Sequence, residues 1–199
     1  MLKFADEAKV HELLDYPGLV AAMRRAHAKG QPLMKAMMVD SPEGDGNRMI
    51  ALLGWNQDSI AVKVIGVYPS NLNRTPPQAS VQGVVIVFNP ETGTPLLVGD
   101  GSALTVRKTA ADSALGSQFL SREDAEVLLV VGAGGLGPHV AMAHTAIRPS
   151  IRTVRIWNRT PARAKALEER AQNEITAHND LYRRMAEGPA STTADPAQT

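Results

Sequence analysis

No cysteine occurs among the 199 residues, which excludes disulfides, thiolate metal sites and cysteine nucleophiles together. A reducing compartment is the natural home of such a chain, and a cytoplasmic location is the expectation. No apolar run approaches the roughly 20 residues of a membrane span. The opening segment from Met1 to Tyr16 carries Asp6, Glu7, Lys9, His11, Glu12 and Asp15, a mixture that the apolar core of a signal peptide does not tolerate. Charge of one sign is lacking too: 21 basic residues stand against 20 acidic ones, interleaved, for a net charge of +1. Neither a nucleic-acid surface nor a membrane surface is announced. The five histidines lack the paired spacing of a metal site, and neither a Ser-His-Asp order nor a G-x-S-x-G elbow is present. What these absences leave is small-molecule chemistry, in a chain long enough to bury a substantial core.

Two grammars follow one another along the chain. Residues 5–29 have helical spacing, with Val10, Leu13, Leu14, Leu19, Val20 and Met23 apolar, Pro17 and Gly18 predicting a break into two helices, and Gly30 closing the second. Strand patterns follow at Leu33 to Val39, Met49 to Trp55, Ile60 to Val67, Val81 to Phe88 and Leu96 to Val98. The cluster Asn89-Pro90-Glu91-Thr92-Gly93 predicts a hairpin, hence antiparallel pairing. Residues 103–120 are helical again. From Val127 the pattern becomes that of a parallel sheet: Val127 to Val131 reads as a strand buried on both faces, then come glycines, a helix from Leu136 to Ile147, and a second strand, Thr153 to Trp157. Thr160 and Pro161 suit an N-cap and first helical position, and that helix is expected to run to about Glu187. The expected fold is α/β: an antiparallel α+β domain over residues 1–122, a partial Rossmann βαβ domain over 123–187, and a disordered tail over 188–199.

Gly132-Ala133-Gly134-Gly135-Leu136-Gly137 satisfies G-x-G-x-x-G between an apolar strand and a helix. Gly132 gives the tight turn, Gly134 lets the backbone approach a pyrophosphate, and Gly137 lets the helix pack on the strand; with Gly135 and Leu136 these are candidate cofactor-binding positions. The helix then turns its free N–H groups and positive dipole end toward the phosphates. The alternative is a glycine-rich turn with no ligand. A second strand ending roughly 25 residues later, as a βαβ unit requires, favours a dinucleotide. At its end stand Asn158, Arg159 and Thr160 rather than the acidic residue that would bind the ribose 2′-hydroxyl of NAD, so NADP(H) is expected over NAD(H), with Arg159 pairing the 2′-phosphate. Otherwise Arg159 is a solvated arginine and Asn158 a turn residue.

Three cations sit in apolar company. Lys63 interrupts Ile60-Ala61-Val62-Lys63-Val64-Ile65: it either lies at a sheet edge with its head in water or faces a cavity, where it meets a carboxylate or polarises a C=N or C=O group. Arg107 and Lys108, read as opening a helix just past Asp100-Gly101, either form an anion site or are two exposed charges.

Val62-Lys63-Val64, Gln82-Gly83-Val84, Asp100-Gly101 with Leu104-Thr105, Lys108-Thr109-Ala110-Ala111, the loop Gly132 to Gly137 with Pro138-His139, and Arg155 to Thr160 together resemble the ornithine cyclodeaminase/mu-crystallin family, its Δ1-pyrroline-2-carboxylate reductase branch most of all. The resemblance implies a substrate-binding and dimerisation domain followed by a Rossmann domain, and hence a homodimer through the N-terminal part. It also implies hydride transfer from NAD(P)H to the C=N carbon of a pyrroline or piperideine 2-carboxylate, giving proline or pipecolate. Lys63 matches the family lysine beside the substrate carboxylate and is the candidate catalytic residue. Lys108 falls where most members have a carboxylate-binding arginine, with Arg107 one position earlier, so all three are candidate substrate-binding residues. A further family arginine falls at Met34, next to Lys35, and Val81 stands where some members have histidine. Two other readings accompany the reductase: ornithine cyclodeaminase with NAD, which the Asn158 position disfavours, and a non-catalytic NADP or small-ligand binder or inactive truncated remnant. No apolar strand-like run follows Trp157, so a C-terminally truncated relative is expected.

Overall fold

The structure, a computed structural model, describes residues 1–169, 171–173 and 176. The chain divides into two compact units, Met1–Leu115 and Gly116–Thr199. The pattern of the sequence changes at residue 122, whereas this division falls inside a helix.

In the first unit, strands β1 (Lys3–Ala5), β2 (Leu33–Asp40), β3 (Arg48–Trp55), β4 (Ile60–Val67), β5 (Val81–Phe88) and β6 (Pro95–Asp100) form one sheet in the order β1-β6-β5-β4-β3-β2. Strands β2 to β6 pair antiparallel with their neighbours, and β1 lies parallel to β6. The expected hairpin joins β5 to β6. Asn89 builds its turn, its side-chain oxygen accepting from the N–H groups of Glu91 at 2.8 Å and Thr92 at 3.0 Å.

The N-terminal helices are α1 (Glu7–Leu13) and α2 (Tyr16–Ala28). The chain breaks between them, but not at Pro17-Gly18. Asp6 caps α1 and Asp15 caps α2 through the Gly18 N–H at 2.8 Å, so Pro17 and Gly18 occupy the first turn of the second helix, where a missing N–H costs nothing. Strand β1 was not legible, because three residues with a single buried side chain carry no period.

Helix α3 (Gly101–Leu120) begins immediately after β6, with the Asp100 carboxylate accepting the Ala103 N–H at 2.7 Å. A Cβ on Gly101 would lie 2.7 Å from the Gly83 carbonyl carbon, so only glycine lets the helix start against β5. Arg107 and Lys108 therefore lie about two turns inside α3 rather than at its opening, and the free N–H groups of a helix start do not contribute at their position.

In the second unit β7 (Val127–Val131) and β8 (Thr153–Trp157) pair in parallel, joined by α4 (Gly137–Ile147), and residues 161–169 form helix α5. Val130, Val154 and Ile156 pack with Ala141, Ile151, Ala164, Leu167 and Ala171 on one face of the pair. Strand β7 is not buried on both faces as its composition suggests. Val127, Leu129 and Val131 are 61, 61 and 70 % exposed, because both helices cover the same side. Arg148, buried at the end of α4, donates through Nη2 to the Ser117 and Gln118 carbonyls and the Ser121 hydroxyl at 3.1–3.3 Å, closing the last turn of α3. Expectations for the helix beyond residue 176 and for a tail over 188–199 lie outside the described residues.

Candidate functional site

Lys63 lies on β4, a central strand flanked by β3 and β5, so the sheet-edge alternative does not hold. Cross-strand partners share a face: Lys63 stands in a row with Leu52 and Val85, and two residues along that face come Gly54 with Met34 on one side and Ile65 with Gly83 on the other. The half-buried Lys63 ammonium turns toward α3, its Nζ 3.4 Å from the Thr105 hydroxyl oxygen. Thr105 in turn donates its O–H to the Gly101 carbonyl at 2.5 Å, which leaves a lone pair for the lysine. Burial first, and the neighbouring Lys108 ammonium second, hold the Lys63 pKa below the ordinary lysine value.

Arg107 and Lys108 part company. Lys108 forms an ion pair with Asp112 one turn further along α3, and Asp112 also faces the His27 Nε2 at 3.7 Å. Arg107 is turned toward α1 and α2: its Nε donates to His11 Nδ1 at 2.9 Å and its guanidinium lies 4.5 Å over the Tyr16 ring. Thus Lys63 and Lys108 are electrostatic neighbours, while Arg107 is already engaged. Lys35 belongs to the opposite face from Lys63, in a row with Leu53 and Val62, so it is not an equivalent of a cation at Met34. Val81 does share the Lys63 face.

The second unit carries the glycine loop. Gly132 has φ +118°, a conformation that only glycine adopts readily, and its N–H donates to the Trp157 carbonyl at 2.7 Å. A Cβ on Gly137 would meet the Leu167 side chain at 2.8 Å and the Gly132 carbonyl at 3.1 Å, so α4 and α5 pack through this position. A Cβ on Gly134 or Gly135 would meet nothing within 4 Å: the space in front of the loop is open. Leu136 is the N-cap residue of α4 and no side chain caps that helix. Open space before a helix start that carries no side-chain cap is what a pyrophosphate requires, and the residues present fit a dinucleotide. Asn158 makes two bonds within the unit and keeps a second N–H and a second lone pair for a ligand. Its Oδ1 accepts from the Ala133 N–H at 3.4 Å and its Nδ2 donates to the Thr160 carbonyl at 3.1 Å, tying the end of β8 to the glycine loop. Arg159 and Thr160 are exposed beside it.

Residue spacing alone did not single out Thr105, Asp112 or Arg163. The signals were present: Thr105 and Asp112 lie three residues before and four after Lys108, one helical turn in each direction. Arg163 lies four residues before Leu167, on the same face of α5, and lines a shallow crevice of about 340 Å³ with Gly134, Gly135 and Pro138.

Residues 3–194 match the family model described as the ornithine cyclodeaminase/mu-crystallin family. Protein SAR DEFICIENT 4 of Arabidopsis thaliana is 37 % identical over 142 residues, covering 69 % of this chain and 42 % of its own length. The Delta(1)-pyrroline-2-carboxylate reductase of Paracoccus denitrificans is 33 % identical over 157 residues, covering 78 % and 48 %. Among solved structures, the Delta(1)-pyrroline-2-carboxylate reductase of Thermococcus litoralis, in complex with NADH and L-proline, superposes with a TM-score of 0.78 at 20 % identity, over 87 % of this chain and 55 % of its own. That likeness shows the fold. The chain spans about half the length of the relatives it matches.

Proposed function

Because this chain belongs to the ornithine cyclodeaminase/mu-crystallin family, we propose that it serves an NADP(H)-dependent reduction of cyclic imino acids, Δ1-pyrroline-2-carboxylate or Δ1-piperideine-2-carboxylate, to proline or pipecolate. The observation that carries the reading is the half-buried Lys63 ammonium, turned from the sheet toward the Thr105 hydroxyl of α3, with the Lys108 ammonium of the same helix near enough to disfavour its charge. A half-buried ammonium with a second one within electrostatic reach suits a small carboxylate. Lys63 and Lys108 hold the ring carboxylate in this proposal, and Arg107, bound to His11 and Tyr16, does not.

The nicotinamide, when bound, supplies the hydride that goes to the C=N carbon. The ring nitrogen then needs one proton. Lys63 is the group suited to hold and release it at Nζ, since burial and Lys108 already disfavour its charged form. Gly132, Gly134, Gly135, Leu136 and Gly137 hold the dinucleotide, with Arg159 and Thr160 toward the 2′-phosphate and Asn158 bracing the loop. The missing acidic residue at Asn158 favours NADP(H) over NAD(H), and by the same token the reductase over an NAD-dependent cyclodeaminase.

A homodimer through the first unit and residence in a reducing, cytoplasmic compartment complete the proposal. The test is direct: purified protein with NADPH and Δ1-pyrroline-2-carboxylate is expected to consume the near-ultraviolet absorbance of the cofactor. Saturable NADPH fluorescence enhancement with no turnover at high protein concentration would make the chain a binder instead.

A further inference from the structure

The sequence places the cofactor-discriminating cation at Arg159, at the end of β8. The structure offers a second one. Arg163 stands in the first turn of α5, its N–H donating to the Thr160 carbonyl at 3.1 Å. Residues 163, 166 and 167 share one helix face, and that face lines the crevice before Gly134 and Gly135. Leu167 anchors the face by packing against Gly137, which leaves Arg163, one turn nearer the helix N-terminus, beside the loop.

Its electrostatic situation singles it out. Among the described residues the crevice is lined, apart from Arg163, by glycine, alanine, proline and leucine, with no acid beside the guanidinium. Glu168 on the same helix lies 3.5 Å from Arg155. Among the described residues neither Arg163 nor Arg159 has a hydrogen bond or ion pair from its guanidinium. A cation turned into an apolar crevice without a carboxylate partner is suited to an incoming anion, and guanidinium binds phosphate through two parallel N–H groups. The pyrophosphate belongs at the N-terminus of α4. The element after the second strand faces the other phosphate that a dinucleotide can carry, on the ribose 2′ position.

We propose that Arg163 is a cofactor-specificity residue that binds the 2′-phosphate of NADP(H) from the α5 side, while Arg159 reaches the same group from the end of β8. This rests on the reading that the chain binds NADP(H), and it adds that two arginines, not one, make the choice.

The experiment is titration of the whole chain, wild type and the Arg163→Ala, Arg163→Lys and Arg159→Ala variants, with NADPH and NADH by fluorescence and with 2′,5′-ADP and 5′-AMP by calorimetry. Thermal melting of each variant checks the fold. Arg163→Ala is expected to weaken NADPH and 2′,5′-ADP about 10- to 100-fold, the loss of a charge-assisted contact, while NADH and 5′-AMP change less than about twofold. Arg163→Lys recovers part of the loss, and added salt weakens NADPH binding more steeply in wild type than in Arg163→Ala. An equal loss of NADPH and NADH would assign Arg163 to the pyrophosphate or to folding and overturn the proposal, as would unchanged binding of both. If wild type binds NADPH but Arg163→Ala matches it, the inference alone fails. If wild type binds neither dinucleotide, or both equally, the NADP(H) reading fails and the inference with it.

Discussion

Lys63 was legible as an anomaly, a cation in a strand whose neighbours are all apolar, but its sequence could not say whether it met water or another group. The answer depended on strand order, which places β4 in the middle of the sheet. Arg107 and Lys108 were indistinguishable for a different reason: adjacent residues on a helix point about 100° apart, and only the packing of α3 decides which meets Lys63 and which meets His11. Lys63→Met is expected to abolish carboxylate-dependent turnover, with kcat/KM down about 100-fold or more. It should raise Tm as well, by about 2–4 °C for each kcal/mol of relieved burial and repulsion. Steady-state kinetics and calorimetric melting check the two halves separately. The pH dependence follows from the lowered pKa. Between that value and the ordinary 10.5 the unfolded chain binds the proton that the folded chain has released, so stability rises with pH across the window. Carboxylate affinity falls over the same window as Nζ loses its charge. Titrating substrate KM and Tm against pH should show both rising across the window, and Lys63→Met should lose the Tm slope. Asp112 pairs with Lys108 and, if Lys108 binds the carboxylate as proposed, would compete with substrate for it. Asp112→Asn is expected to lower KM about 3- to 10-fold, within the energy of one exposed ion pair; an unchanged or raised KM would place Lys108 outside carboxylate binding.

At the scale of elements, the second unit was the most legible part of the chain. The bounds of β7, α4 and β8 follow from a short apolar run, a glycine cluster and Pro149, each a strong local signal. What misled was composition: Val127 to Val131 has no alternation, yet its odd-numbered residues are exposed. Periodicity cannot report what covers a strand. The glycines separate structural from binding roles, and substitution can read the difference. Gly137→Ala drives a Cβ to within 2.8 Å of Leu167 and 3.1 Å of the Gly132 carbonyl, an overpacking expected to cost about 1–3 kcal/mol and to lower Tm whether or not cofactor is present. Gly134→Ala meets no protein atom within 4 Å. It should melt like wild type yet lose NADPH affinity by at least about tenfold, because the space it fills is that of the phosphate. Fluorescence titration beside thermal melting distinguishes the two, and the loop reading would be wrong if Gly134→Ala bound NADPH like wild type.

At the scale of the molecule, the face of the first-unit sheet opposite Lys63 requires an occupant. Cross-strand register places Leu33, Met37, Val39, Met49, Ala51, Leu53, Trp55, Val62, Val64, Val84 and Ile86 on that face, with Lys35 and Gln82 among its few polar members. Met37 is 63 % exposed, Met49 44 % and Val84 42 %. Apolar side chains from four neighbouring strands, open to solvent together, make a continuous patch of the kind that proteins cover with a partner. A second copy of the same face is self-complementary and can close about a two-fold axis, which supports the homodimer proposed above. Such burial would leave the Lys63 face of each sheet free for substrate. Sedimentation is expected to give twice the chain mass, and Tm is expected to rise with protein concentration, since dissociation and unfolding are then linked. Met37→Glu combined with Val84→Glu places charge at two points of the patch, and should yield a monomer whose Tm no longer depends on concentration. A wild type that sediments as a monomer at micromolar concentration would leave the face to a different partner, and a charged double variant that remains dimeric would move the interface elsewhere on the chain.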